Sequence, residues 1–257
     1  MRNVSNMWGL NLYIVISSII TIYLLKHFNK NVDGIERKNK ILKFFAIATI
    51  VLHYSSIPVD YFSSGSASVD GTMLLPIFPC NFAMWTLFWV AFYKNKSGKF
   101  FDFLVQMTFY VGVAGGILGI AFNEAYINTP SLSDWSVLKG LLSHSTMLIG
   151  SFYLFVGKYF EIRVSNMKNI LLSLGVLLID GMLVILLYAL CELDPPNSMF
   201  MLETPYEAYP WLNTWSFGAL AILAGFVITS TYEYFKLDKK DRWYSLLKEE
   251  KLNKNEK

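Results

Sequence analysis

Three short runs hold side chains that could do chemistry. Leu75-Pro76-Ile77-Phe78-Pro79-Cys80-Asn81 places a thiol just after two prolines. Leu142-Ser143-His144-Ser145-Thr146 surrounds an imidazole with hydroxyls, and His53-Tyr54-Ser55-Ser56 supplies a second imidazole. A histidine base beside a cysteine makes an activated nucleophile, the starting point of covalent acyl transfer. Proline suits a first helical turn and disrupts a helix interior, so a helix is expected to begin near Pro79 with Cys80 in its first turn. Unpaired amides and the helix dipole favour an anion there, and burial opposes one. Simpler readings stand beside these. A lone cysteine packs as a small hydrophobe, His144 can serve as an interhelical hydrogen-bonding residue, and His53 can be interfacial. His53, Cys80 and His144 also form a conceivable three-ligand metal set. No pair among them has the short spacing of a metal site, so no resident metal or cofactor is expected.

Asp180 lies in the middle of an apolar run. An aspartate in that setting needs a partner or a water-filled cavity. It could orient a histidine, bind a cation, relay protons or make a structural hydrogen bond. Asn81 beside the thiol, Ser143 beside the imidazole and Asn197 in the polar run 197–205 complete the supporting candidates. A disulfide between Cys80 and Cys191 is geometrically open. Gly112, Gly115, Gly116 and Gly119 interleave two small-xxx-small pairs, a pattern that lets another helix approach closely. Soluble-enzyme motifs are absent, with no phosphate-binding G-x-x-x-x-G-K-[ST], no H-E-x-x-H and no G-x-S-x-G. Nothing suggests nucleic-acid binding.

The elements that must position these residues follow from composition. Of 257 residues, 54% are apolar and only 16% charged, against about 25% charged in soluble domains. Seven stretches approach the length of about 20 apolar residues that a membrane span needs: Met7 to Leu25, Ile41 to Ile57, Met73 to Tyr93, Phe103 to Phe122, Val137 to Gly157, Ile170 to Cys191 and Trp211 to Ser230. None alternates with period two, so each reads as a helix. The sequence predicts an all-α, seven-helix membrane bundle over residues 1–235 and a charged cytoplasmic tail over 236–257. Lysine and arginine concentrate after the first, third, fifth and seventh stretches. Acidic residues (Asp60, Asp70, Glu124, Asp134, Glu192, Asp194, Glu203, Glu207) fill the alternate loops, where only Arg2 and Lys139 are basic. Positive charge marks the cytoplasmic side, which puts the N-terminus outside and the C-terminus inside. At 1.5 Å per residue, Cys80 lies roughly 9 Å below Leu74 and His144 roughly 10 Å below Val137, similar depths in the outer half.

These motifs, in this order, resemble the YwaF family of bacterial integral membrane proteins, which is related to an animal transmembrane cysteine-type phospholipid acyltransferase. The family's third helix opens L-P-L-H-L-C. Leu75, Pro76 and Cys80 match, while Phe78 stands where the family has histidine and Pro79 where it has leucine. Ser143-His144 matches the family's S-H, and Thr129-Pro130 its T-P after the fourth helix. Asn197, Phe200, Leu202 and Pro205 resemble its N-Y-x-[FY]-L stretch and following proline, with Ser198 in place of tyrosine. The resemblance covers about Leu74 to Ser230. It implies that Cys80 takes an acyl chain as a thioester with His144 as base, and that the chain passes to a lysolipid or similar acceptor. The expected partners are therefore membrane lipids, as acyl donor and acceptor, and the expected location is a bacterial plasma membrane. Two other functions remain open: a small-solute or ion transporter with Asp180 in the path, and a non-catalytic membrane partner or sensor.

Overall fold

A computed structural model describes residues 8–31, 34–65, 71–128, 131–204, 210–211 and 213–248. The expectations attached to Arg2, Asp70, Thr129, Pro130, Pro205, Glu207 and the tail from 249 onward lie outside the described residues. Among the described residues the chain is helical without strands. In order come α1 (Trp8–Asn31), α2 (Ile35–Tyr54), α3 (Ser56–Ser64), α4 (Gly71–Leu74), α5 (Pro79–Phe92), α6 (Lys99–Ala121), α7 (Glu124–Asn128), α8 (Trp135–Val156), α9 (Met167–Leu190) and α10 (Thr214–Lys236).

The described part of each apolar stretch is helical, but the stretches are not equivalent. Among the described residues, five segments are long and apolar enough to cross a membrane: Trp8–Lys30, Ile35–Ser63, Lys99–Ile127, Val164–Leu190 and Thr214–Lys236. Length and apolarity thus single out five helices, against the seven comparable spans expected from sequence. The other two are α5 and α8. With 14 residues, α5 reaches only about 21 Å, short of the ~30 Å hydrocarbon core. Helix α8 has 22 residues but carries Lys139, His144 and six hydroxyl side chains, Tyr153 included. Its position explains that composition. It packs against α1, α2, α5 and α6, and its buried residues include Ser143, Ser145, Ser151 and Tyr153. A helix enclosed by other helices presents little surface to lipid. By contrast, only 11% of the apolar window of α1 and of α10 is buried, so their apolar side chains face outward.

The core lies between α2, α5, α6 and α8, where Leu42, Ala46, Leu87, Val105, Met147 and Tyr153 are almost fully buried. The glycines of α6 set the interhelical distances. A β-carbon at Gly112 would stand 2.1 Å from Ser151 Oγ, and one at Gly116 would stand 2.8 Å from Leu148 Cβ. Hydroxyls fix the rotation of α8: Ser145 Oγ bonds Tyr13 OH of α1 at 2.9 Å, and Thr146 accepts from Thr49 Oγ1 of α2 at 3.1 Å.

A knot of loop holds the start of α5. Ser198 Oγ and Met199 N–H both donate to the Ile77 carbonyl, at 3.1 and 2.8 Å. Thr214, opening α10, donates to the Met199 and Phe200 carbonyls at 2.7 Å. Met199 and Phe200 take left-handed φ values of 51° and 57°, a conformation these bonds hold at a cost of about 1–3 kcal/mol per residue. The Phe78 and Phe200 rings stack with centroids 5.3 Å apart.

At the opposite end of α10 the described part of the tail, up to residue 248, turns back against the helix. Glu233 is 2% exposed, and its carboxylate accepts from Val164 N–H at 2.6 Å and Trp243 N–H at 2.9 Å. Trp243 packs edge-on to Phe226, and the Arg242 guanidinium lies 4.6 Å from the Tyr234 ring centroid. Segment 238–248 docks because its aromatic residues have an apolar wall beside them and its Trp243 amide has a buried acceptor.

Candidate functional site

Helix α5 starts at Pro79, with Phe78 as an extended N-cap, as the two prolines predict. The first helical bond runs from Phe82 N–H to Phe78 O, at 3.0 Å. The amides of Cys80 and Asn81 therefore precede the helical ladder and point out of its positive end. The Cys80 thiol contacts Asn81 Oδ1 at 3.4 Å. Both cysteines are free, and Cys191 is exposed, so the disulfide alternative is not formed.

On α8, the His144 Nδ1–H donates to the Gly140 carbonyl one turn back, at 2.7 Å. The neutral ring then keeps its lone pair on Nε2, the form of a general base. Glycines of α6 support both groups. A β-carbon at Gly115 would lie 3.2 Å from Cys80 Cα, and one at Gly119 would lie 1.9 Å from His144 Cδ2 and 2.2 Å from Nε2. The glycine pattern read from sequence as helix packing is thus the bed on which the nucleophile and base candidates rest.

Cys80, Asn81, His144, Ser143 and His53 line one small cavity of about 50 Å³, together with Thr49, Met84 and Met147. A water needs about 10–15 Å³ on that measure, so the space holds a few waters and no acyl chain. His53 Nε2 is buried there without a hydrogen-bond partner. Among the described residues no three His, Cys, Asp or Glu side chains are grouped to hold a metal ion, so the three-ligand alternative is not assembled.

Two of the supporting candidates lie elsewhere. Asp180 of α9 is half-buried with Oδ2 unpartnered, and it does not line the cavity. Asn197 accepts from the Leu202 and Glu203 amides at 3.1 Å and donates to the Glu203 carbonyl at 2.9 Å. Its side chain closes the polar loop and does not reach the thiol's surroundings. A larger groove of about 270 Å³ lies beside Ser230, Tyr234, Arg242 and Trp243 at the far end of α10, lined by neither histidine nor cysteine. Sequence reasoning missed Thr49, which sits one turn before His53 and so shares its helix face.

A multi-pass helical membrane protein with a cysteine and a histidine on packed interior helices is the class that this fold defines. A family model narrows it: the TMEM164 family matches residues 4–232, and the chain belongs to that family. TMEM164 is an animal transmembrane protein, and the match carries this name rather than YwaF. No curated protein and no solved structure matches the chain.

Proposed function

We propose that the protein is a membrane acyltransferase that carries the acyl group on Cys80, with His144 as general base. The observation that carries this reading is the shared cavity, which joins the thiol at the start of α5 to an imidazole whose Nδ1 is tied to Gly140. In the first half-reaction, His144 Nε2 takes the thiol proton and the sulfur attacks a phospholipid ester carbonyl. The C–O bond breaks, the thioester forms, and the leaving lysolipid oxygen receives the proton from the imidazolium. In the second half, an acceptor lysolipid hydroxyl gives its proton to Nε2 and attacks the thioester. A new ester forms and Cys80 leaves as the thiolate, recovering the proton. The free first-turn amides of α5 are placed to support negative charge on the carbonyl oxygen. With so small a cavity, only the ester enters, and the acyl tail stays among the lipids.

The reading includes seven spans, with α5 and α8 as interior members, the N-terminus outside and the C-terminus cytoplasmic, in a bacterial plasma membrane. Three basic segments meet at one end of the bundle in support of this sidedness: Tyr159 donates to Asn39 at 2.8 Å, and Arg163 donates to the Asp241 carbonyl at 3.4 Å. The cavity then faces the outer half. Phe78, standing at the family's histidine position and stacked on Phe200, leaves His144 as the base.

The test is capture of an alkyne-labelled acyl chain from phospholipid. Wild type acquires a hydroxylamine-sensitive label, and folded Cys80→Ser and His144→Asn do not. Absence of label across phospholipid classes on folded wild type rejects the reading. The unpartnered Asp180 Oδ2 favours a second reading, transport of a small solute or ion through a path at α9. Flux in proteoliposomes that survives Cys80→Ser and vanishes in Asp180→Asn would select it.

A further inference from the structure

Lys139 is a cation where the chain has reasons not to place one. It lies on α8 at the cavity end, in a part of the sequence dominated by carboxylates, while nearly every other lysine and arginine lies toward the opposite end. It sits in the second turn of α8, near the positive pole of the helix, where the dipole gives a cation no support. It is also half-buried. Its ammonium is nevertheless held in place. Nζ donates to Ser56 Oγ at 3.0 Å and to the His53 carbonyl at 3.4 Å. Both acceptors are neutral oxygens, and the carboxylate acting on the ammonium is that of Asp60. An ammonium has three donors, and these two bonds use two of them.

The backbone that Lys139 grips belongs to His53, whose side chain lines the cavity. Lys139 precedes His144 by five residues, an axial rise of about 7.5 Å. In a glycerophospholipid the phosphate and the nearest ester oxygen are joined through the short glycerol backbone. Five residues also turn the helix by about 500°, so Lys139 leaves α8 about 140° round from His144. It meets the site through His53, whose carbonyl it holds and whose ring lines the cavity. A cation there is placed to hold the phosphate of a lipid whose ester enters on the His53 side. We infer that Lys139 is the headgroup anchor of this site, binding the phosphate of the lipid whose ester enters the cavity and selecting phospholipids over neutral glycerides. The inference rests on the proposed acyl-transfer reading for its substrate, and on the structure for the placement of the charge. Lys139 touches no reacting atom, so its role is positioning and specificity.

The experiment uses the full-length protein in micelles. Lysophospholipid binding is measured on Cys80→Ser, where no chemistry can occur, with and without Lys139→Gln or Lys139→Arg. Lys139→Gln is expected to weaken lysophospholipid binding about 10- to 100-fold, the worth of a hydrogen bond to a charged group. Lys139→Arg is expected to restore most of the affinity, and monoacylglycerol is expected to bind all variants alike. In the Cys80-containing protein, Lys139→Gln should raise KM for phospholipid by a similar factor and change kcat little. Equal loss of lysophospholipid and monoacylglycerol binding, with a lowered melting temperature, would overturn the inference in favour of a structural brace between α8 and α2. Displacement of lysophospholipid by inorganic phosphate at comparable concentration would overturn it in favour of a free-phosphate site. Lys139-dependent binding with no label on Cys80 in wild type would leave the anchor standing and remove the acyl-transfer reading alone.

Discussion

Gly119→Ala tests whether the α6 glycines position His144. The added β-carbon would stand 1.9 Å from Cδ2 and 2.2 Å from Nε2 of the ring, where carbon contacts settle at about 3.5–4 Å. The ring must retreat by roughly 1.5–2 Å. It can do so only by giving up the 2.7 Å bond from Nδ1–H to Gly140 O or by pushing α8 off α6. Overpacking costs about 1–3 kcal/mol, and the lost hydrogen bond about 0.5–1.5 kcal/mol. Alanine returns up to about 1 kcal/mol in helix propensity. The net expectation is a destabilisation of about 1–3 kcal/mol, and about 100-fold slower acyl capture, because a 1 Å misplacement costs that much. Gly175→Ala on α9 is the control, since a β-carbon there meets nothing within 4 Å, and it is expected to be neutral or slightly stabilising. The readouts are the initial rate of hydroxylamine-sensitive labelling and the thermal unfolding midpoint in detergent. A Gly119→Ala protein that labels at the wild-type rate and melts no lower than Gly175→Ala would refute the reasoning.

Glu233→Ala removes the acceptor that holds Val164 and Trp243. Tryptic cleavage at Arg242 is expected to become several-fold faster in limited proteolysis, since each bond to a charged group is worth about 1.5–3 kcal/mol; unchanged cleavage would show that the tail docks by its aromatics alone. Lys96, in the loop between α5 and α6, donates to the Val90 and Ala91 carbonyls and is held down at about 8 by burial, then by the charge of Lys43. Between that value and its ordinary 10.5 the unfolded chain binds more protons than the folded one, so stability from this group rises with pH across the window. The unfolding midpoint of wild type is expected to rise relative to Lys96→Met between pH 8 and 10, and parallel profiles would contradict the shift. Asp180→Asn removes a charge whose Oδ2 has no partner. It is expected to leave acyl capture unchanged and the melting temperature equal or higher, whereas loss of capture would tie α9 to the cavity.

Much of the site was legible because proline and hydroxyl residues are local signals. Pro79 fixes φ and lacks an N–H, so the start of α5, and with it the exposure of the Cys80 amide, follows from two residues of sequence. Helical rise gives the place of His144 along α8 but not that of Cys80, because residues 75–78 leading to it are not helical. What sequence could not supply was rotation about each helix axis. Asp180 and His144 look equally anomalous as polar residues in apolar runs, yet only His144 faces the cavity. Asn197 stood among the supporting candidates because it opens the polar run 197–205. Its amide is consumed by the Leu202 and Glu203 backbone, a tertiary detail with no periodic trace. The tail from 236 read only as charged because lysines dominate it, and the docking signal was one aromatic, Trp243, in a charged context.

The two helices that hydropathy undervalues are the two that carry the proposed nucleophile and base. A helix facing lipid must be apolar over most of its surface, whereas a helix enclosed by four others may carry serine, threonine and histidine as long as partners are supplied. In α8 several are supplied: Ser145 meets Tyr13, Thr146 meets Thr49, and His144 meets Gly140, while Ser151 Oγ and Tyr153 OH are buried without one. In α5 the loss is of length. The chain enters by a non-helical segment at 75–78 whose Ile77 carbonyl is taken by the 198–199 knot, so the helix begins with its first amides beside the cavity inside the bundle. A thiol in the first turn of such a short helix lies among packed helices while keeping the amides of a helix start beside it. Shortness in α5 and polarity in α8 are therefore two parts of one arrangement, a polar pocket enclosed by helices whose outward faces remain hydrocarbon.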